Sequence, residues 1–160
     1  MTECAYCKAR EGDHLYEDEL CFAKLVRRPA TTGHIVLLPK EHFAIIEQVP
    51  DEVMHHLFVV ANKLGAAAFD GLKAQGSNLL IQNGIAAGQT HNHVMLHLLP
   101  RFQQDGVDFT WQPQQVEEAQ LDAVIVSLSD ALAEKKSLSS SVSEVSSDEQ
   151  YLLDQLHRLP

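Results

Sequence analysis

Three histidines and a methionine alternate with other residues across a short stretch, Gly88-Gln89-Thr90-His91-Asn92-His93-Val94-Met95-Leu96-His97-Leu98-Leu99-Pro100-Arg101. On a strand, side chains alternate between faces, so His91, His93, Met95 and His97 share one side while Val94, Leu96 and Leu98 share the other. The second side is apolar and packs. The first carries imidazoles about 7 Å apart per step, a poor core but a good surface for gripping a phosphate or a metal ion. A second chemical signal stands at the start, Cys4-Ala5-Tyr6-Cys7. Two thiols at this spacing suit metal binding or redox chemistry, and are equally compatible with a buried, inert pair. Cys21 lies in an apolar run and reads as a core thiol.

The elements that must position these groups follow from residue patterning. Residues 15–26 read as a hairpin turning at Glu17-Asp18-Glu19, and 34–38 as a short buried strand closed by Pro39. From Asp51 the apolar residues Val53, Met54, Leu57, Val60, Ala61, Leu64 and Ala68 recur at three and four, after Pro50 and with acids in the first turn. That spacing predicts an amphipathic helix ending near Gly71. Residues 78–82 read as a strand, 83–90 as a glycine-containing loop, 93–99 as a strand stopped by Pro100, and 116–133 as a helix. Strands and helices interleave without regular βαβ alternation, which predicts an α+β domain on an antiparallel sheet with flanking helices. The domain is expected to span 1–135. Residues 136–147 are a serine-rich linker, and 148–160 a short amphipathic helix with an apolar stripe of Tyr151, Leu152, Leu156 and Leu159 that docks on its own domain or a partner.

Composition narrows the partners. Twenty-two acids against twelve Lys and Arg give the 160-residue chain a formal charge of -10, which repels nucleic acid and anionic bilayers at long range. A single nucleotide in a local pocket remains compatible, because fixed amides and imidazoles hold a phosphate whatever the whole-chain charge. No run reaches the about 18 apolar residues of a spanning helix, and the start lacks the basic and apolar regions of a secretory signal. A cytoplasmic protein with no membrane or nucleic-acid partner is the expectation. His14, His55, His56 and His157 have no motif around them and read as solvent-facing or helix-surface residues. Phe109 and Trp111 read as anchors for the segment after the histidine strand, on the core or a dimer interface.

With these anchors in order, the sequence resembles the histidine triad family, whose signature alternates three histidines with apolar residues after Gly-Gln-Ser/Thr and before Pro-Arg. The resemblance covers about residues 4–103 and includes Cys4-x-x-Cys7, Tyr16-Glu17-Asp18, Gly33-His34 leading to Pro39-Lys40 and His42, and Asn83-Gly84 leading to Ala87-Gly88-Gln89. It implies a compact homodimer that acts on nucleotides as a hydrolase or transferase. Counting from Gly88-Gln89 or back from Pro100-Arg101 makes His93 the first triad histidine and His97 the third. Met95 replaces the second, the family's nucleophile. A thioether does not titrate and forms no nucleotidyl-histidine, so the covalent route closes. His97 and His34 remain as bases for slow water attack.

The resemblance also implies phosphate contacts from Asn83, Gln89, Thr90 and His97, and a structural Zn²⁺ site formed by Cys4, Cys7, His42 and His93. Val26 stands where the family often has a ribose-binding acid, and Gln82 where it often has an asparagine. The expected function is binding of a nucleotide or another phosphorylated small molecule, with hydrolase activity lost or strongly reduced. Two alternatives stand beside it: an active nucleotide phosphoramidase or dinucleotide hydrolase that uses His91 or His97 instead, and a copper-binding module of His91, Met95 and His97, since thioether and imidazole suit Cu(I).

Overall fold

The computed structural model describes residues 4–8 and 14–138. One compact unit runs through Val107 and a second begins at Asp108. The first is built on strands β1 (Tyr16–Glu17), β2 (Cys21–Leu25), β3 (Ile35–Pro39), β4 (Gly76–Ile81) and β5 (Leu96–Arg101), with helices α1 (Ala5–Lys8) and α2 (Asp51–Leu72). The strands form one antiparallel sheet in the order β1-β2-β3-β5-β4. The α+β antiparallel architecture expected from the sequence is the one observed.

Period-2 alternation divides the sheet into two faces. Cys21, Ala23, Ile35, Leu37, Leu96 and Leu98 pack against Leu57, Val60, Ala61 and Leu64 of α2. The opposite face gathers Phe22, Val36, Leu38 and Met95, with Tyr6 and Val26 at its margin. Helix α2 starts where predicted, after Pro50, with Asp51 and Glu52 placed to complement the helix dipole. It ends at Lys73, whose left-handed backbone closes the last turn.

Two features of the histidine strand differ from expectation. It starts at Leu96, not at residue 93, because Gln89 and Phe43 engage the backbone just before it: Gln89 Nε2 donates to His91 O at 2.8 Å, and Val94 N donates to Phe43 O at 2.7 Å. It also runs through Pro100 to Arg101 instead of stopping there. β3 pairs with β5 only over Leu96–Leu98, so one edge of β5 lacks a ladder partner beyond Leu98 and tolerates a residue without an N–H.

His14, expected at the solvent or helix surface, is buried, and His56, which does lie on the surface of α2, has an acidic partner. The His14 side chain is 7% exposed, its Nδ1 donates to Glu17 Oε2 at 2.7 Å, and it lies against the Phe22 ring. His56 Nε2 donates to Asp18 Oδ2 at 2.7 Å and ties the hairpin to α2. Asp18 also accepts from Tyr16 OH and from the N–H groups of Leu20 and Cys21. Burial would push its carboxyl up, but these hydrogen bonds outweigh it and hold the group well below the ordinary carboxylate range. A depressed folded value stabilises the fold above the unfolded value near about 4, and that stability is lost as pH falls below it. Asp18→Ala is therefore expected to cost about 2–4 kcal/mol near neutral pH, with the deficit shrinking below about pH 3. Urea titrations of both proteins at several pH values check this; a deficit that does not vary with pH overturns it.

The second unit carries α3 (Glu118–Leu138), longer at its C-terminal end than predicted and reaching into the serine-rich segment. Trp111, expected to anchor on the core or a dimer interface, is 84% exposed in the single chain. The remaining linker and the tail helix expected at 148–160 lie outside the described residues, as does His157. No described helix is long and apolar enough to cross a membrane.

Candidate functional site

The two cysteines are brought to the histidines by the single turn α1. Its first-turn geometry places Cys4 and Cys7 side by side. Cys4 Sγ lies 3.5 Å from His93 Nδ1, Cys7 Sγ lies 3.4 Å from His42 Nδ1 and 3.7 Å from His93 Nδ1, and the four ligand atoms all fall within 4.8 Å of one another. A tetrahedral ion at about 2.3 Å from sulfur and about 2.0–2.1 Å from nitrogen sets sulfur and nitrogen roughly 3.5–3.6 Å apart. The donor set and its spacing therefore fit Zn²⁺. The tautomer fits too. His93 is 1% exposed and its Nε2 donates to Pro39 O at 3.0 Å, which leaves the Nδ1 lone pair directed at the thiols. With four protein ligands the site has no open position for a reacting water.

A second group, Asp18, Cys21 and His56, is as close together but chemically different. The Asp18 oxygens already accept four hydrogen bonds, and burial foremost, with the Asp18 charge, pushes the fully buried Cys21 thiol up to about 12. That thiol stays protonated, and the group is a hydrogen-bonded staple. Cys21 is the core thiol expected from its apolar run.

On the sheet face away from α2, Val36 is directly opposite His97. Here His97 Nδ1 meets His34 Nε2 at 3.0 Å. Burial lowers the affinity of both imidazoles for a proton, and for His97 the nearby His34 and His91 lower it further. Met95 lies on this face, 9% exposed and packed with Phe22, Val36 and Leu38. Val26 borders the same cluster, and Arg27 and Arg28 are exposed. His91 accepts or donates at 2.9 Å with Thr90 Oγ1, and its ring meets Tyr6 edge-on.

Asn83 and Gln89, expected as phosphate contacts, also hydrogen-bond within the protein. Asn83 Oδ1 accepts from Ile46 N, and its Nδ2 donates to Glu47, all at 2.9 Å. Gln89 is buried; its Oε1 accepts from Gly84 N, and its Nε2 donates to Ala44 O and His91 O. Both side chains shape the 83–90 loop from behind. Thr90 is exposed at its end and His97 lies beyond it.

An antiparallel α+β sheet with a Cys₂His₂ cluster at one strand end and a coupled histidine pair on its open face defines a narrow structural class. The chain belongs to the HIT family: residues 8–104 match the HIT domain. It is 34% identical over 112 residues to Adenylylsulfatase HINT3 of Arabidopsis thaliana, covering 66% of this chain but only 55% of that protein. It is 30% identical over 119 residues to Adenosine 5'-monophosphoramidase HNT1 of Saccharomyces cerevisiae, covering 71% of this chain and 73% of the relative. Among solved structures, a Zn-bound histidine triad family protein from Mycobacterium smegmatis superimposes with a TM-score of 0.62 at 32% identity, over 81% of this chain and 97% of that one.

Proposed function

We propose that this HIT protein binds a nucleotide, or another phosphorylated small molecule, through Thr90 and His97 over the apolar floor of Phe22, Val26 and Val36. In this reading its nucleotidyl hydrolase activity is lost or strongly reduced, and a structural Zn²⁺ on Cys4, Cys7, His42 and His93 fastens the N-terminal turn to the sheet. Asn83 and Gln89 serve binding by holding the loop that carries Thr90. The observation that carries the proposal is Met95, a thioether 9% exposed and packed with Phe22, Val36 and Leu38; counted from Gly88-Gln89 or back from Pro100-Arg101, it takes the place where the family's attacking imidazole would stand. The named relatives support the substrate class: one is an adenylylsulfatase and one an adenosine monophosphoramidase. Hydrolysis of an adenosine phosphoramidate by the wild type and by Met95→His tests it, together with AMP binding by the wild type.

A cytoplasmic site of action and a homodimer belong to the same reading. Leu121, Ile125, Leu128 and Leu132 recur at four, three and four residues along α3 and are each half exposed or more. That is the spacing of a helix seam that a second copy covers. Sedimentation at micromolar concentration is expected to show a dimer, and a single monomeric species overturns that part of the proposal.

A further inference from the structure

The loop joining β2 to β3 hydrogen-bonds to the histidine pair from behind, and that contact decides which nitrogen of His97 carries a proton. We propose that the backbone N–H of Ala30 fixes the proton positions on the His34–His97 pair, so that His97 meets a bound phosphate group as a hydrogen-bond donor through Nε2 and is unavailable as a base. The inference rests on the reading of His97 as a ligand contact. Ala30 and His34 are positioning residues, acting through His97.

A backbone amide nitrogen can only donate, and Ala30 N lies 3.2 Å from His34 Nδ1. His34 Nδ1 must therefore present its lone pair. In a neutral imidazole the proton then sits on Nε2, which lies 3.0 Å from His97 Nδ1. His97 Nδ1 in turn accepts, and the remaining proton of a neutral His97 is on its Nε2. The chain of bonds runs one way, from Ala30 N–H through both rings to a single outward N–H.

An extra proton has no accommodating place in this chain. On His34 it would occupy Nδ1 and face the Ala30 N–H. On His97 it would occupy Nδ1 and face the His34 Nε2 proton. Reversing His34 so that its Nε2 accepts only moves its proton to Nδ1, where it again meets Ala30. The arrangement thus keeps both rings neutral by geometry as well as by their burial. It also bars water activation by His97, since the outward nitrogen already holds its proton. A phosphate oxygen, which accepts, fits that nitrogen; a water about to lose a proton does not.

The loop is held firmly enough to do this. His34 N donates to Thr31 O at 3.1 Å, and Val26 N donates to His34 O at 2.9 Å, closing it at its base. Gly33 takes φ +79°, and a Cβ there would run into the Leu72 side chain, so the turn packs directly on the end of α2.

Nitrogen-15 NMR of the histidine rings in the unliganded, zinc-loaded full chain reads the proton positions directly. The expected pattern at neutral pH is a protonated Nε2 and a bare Nδ1 on both His34 and His97. Ala30→Pro removes the donor and is expected to give mixed tautomers on both rings and roughly tenfold weaker AMP binding, whereas Ala30→Gly keeps the N–H and the wild-type pattern. A proton on His97 Nδ1 in the wild type, or an unchanged pattern in Ala30→Pro, overturns the relay. If Ala30→Pro does not fold, His34→Ala decides: it is expected to release His97 into a tautomer mixture, and a His97 that keeps a bare Nδ1 there overturns the proposal. Because the nitrogens are read without ligand, failure of the wild type to bind AMP counts against the functional reading and not against the relay.

Discussion

Met95→His is expected to raise hydrolysis of an adenosine phosphoramidate by about 10²- to 10⁴-fold over the wild type. Removal of a covalent nucleophile commonly costs several orders of magnitude, and restoring one on an otherwise complete site returns part of that. The residues around it are held: His97, two positions on from residue 95, is bonded to His34, and the loop that ends at Thr90 is braced by Asn83 and Gln89. Histidine is no larger than methionine, so the change does not overpack Phe22, Val36 and Leu38. Its polar ring in that apolar cluster costs about 1–3 kcal/mol of stability, which a thermal melt will show. The wild type, with only a thioether at 95, forms no covalent adduct. A nucleotidyl-histidine trapped on the variant and absent from the wild type completes the expected result. Equal rates for the two proteins, or an adduct on the wild type, overturn the proposal, and an adduct mapped to His91 or His97 revives the active-enzyme alternative.

How far this was legible before the fold was known differs from residue to residue. Alternation along 93–99 placed Met95 and His97 on one face and Leu96 and Leu98 on the other, and the sheet shows those two faces, because side-chain period in a strand is a local property. The spacing of α2 was legible for the same reason. Partner choice was not. Asn83 and Gln89 have the right chemistry for phosphate, and the bonds they also make within the protein, to Ile46 N and Ala44 O, reach loops 37 and 45 positions away that no local pattern contains. His56 carried no motif because its partner, Asp18, is brought to it only when the hairpin packs on α2. The proline that seemed to end β5 sits where a neighbouring strand stops, a register fact that no single strand contains. Glu52 stands four positions before His56 and is the acid that helical spacing would pair with it, yet the acid that His56 meets is Asp18, 38 positions away.

Removal of the metal carries the second large expected effect. The zinc-loaded chain is expected to hold one ion, with no copper, and to lose it on Cys4→Ser. A ligand present at about a thousand times its dissociation constant stabilises the state that binds it by about 4 kcal/mol, so chelation is expected to cost roughly that much. The loss should fall unevenly. α1 is a single turn, too short to be stable alone, and it is joined to the sheet by Cys4 and Cys7 at His42 and His93. Without the ion, its amides are expected to exchange freely, while β2, β3 and the buried face of α2 keep their own apolar packing and remain protected. Because the four-ligand site leaves no coordination position open, chelation should leave the ring-nitrogen pattern of His34 and His97 unchanged. Hydrogen exchange with and without chelator separates these regions. Purified protein free of zinc whose melting temperature is indifferent to chelator overturns the structural-zinc reading, and copper held at Met95 in its place revives the copper alternative. A disulfide between Cys4 and Cys7 in that zinc-free protein would instead assign the pair to redox chemistry.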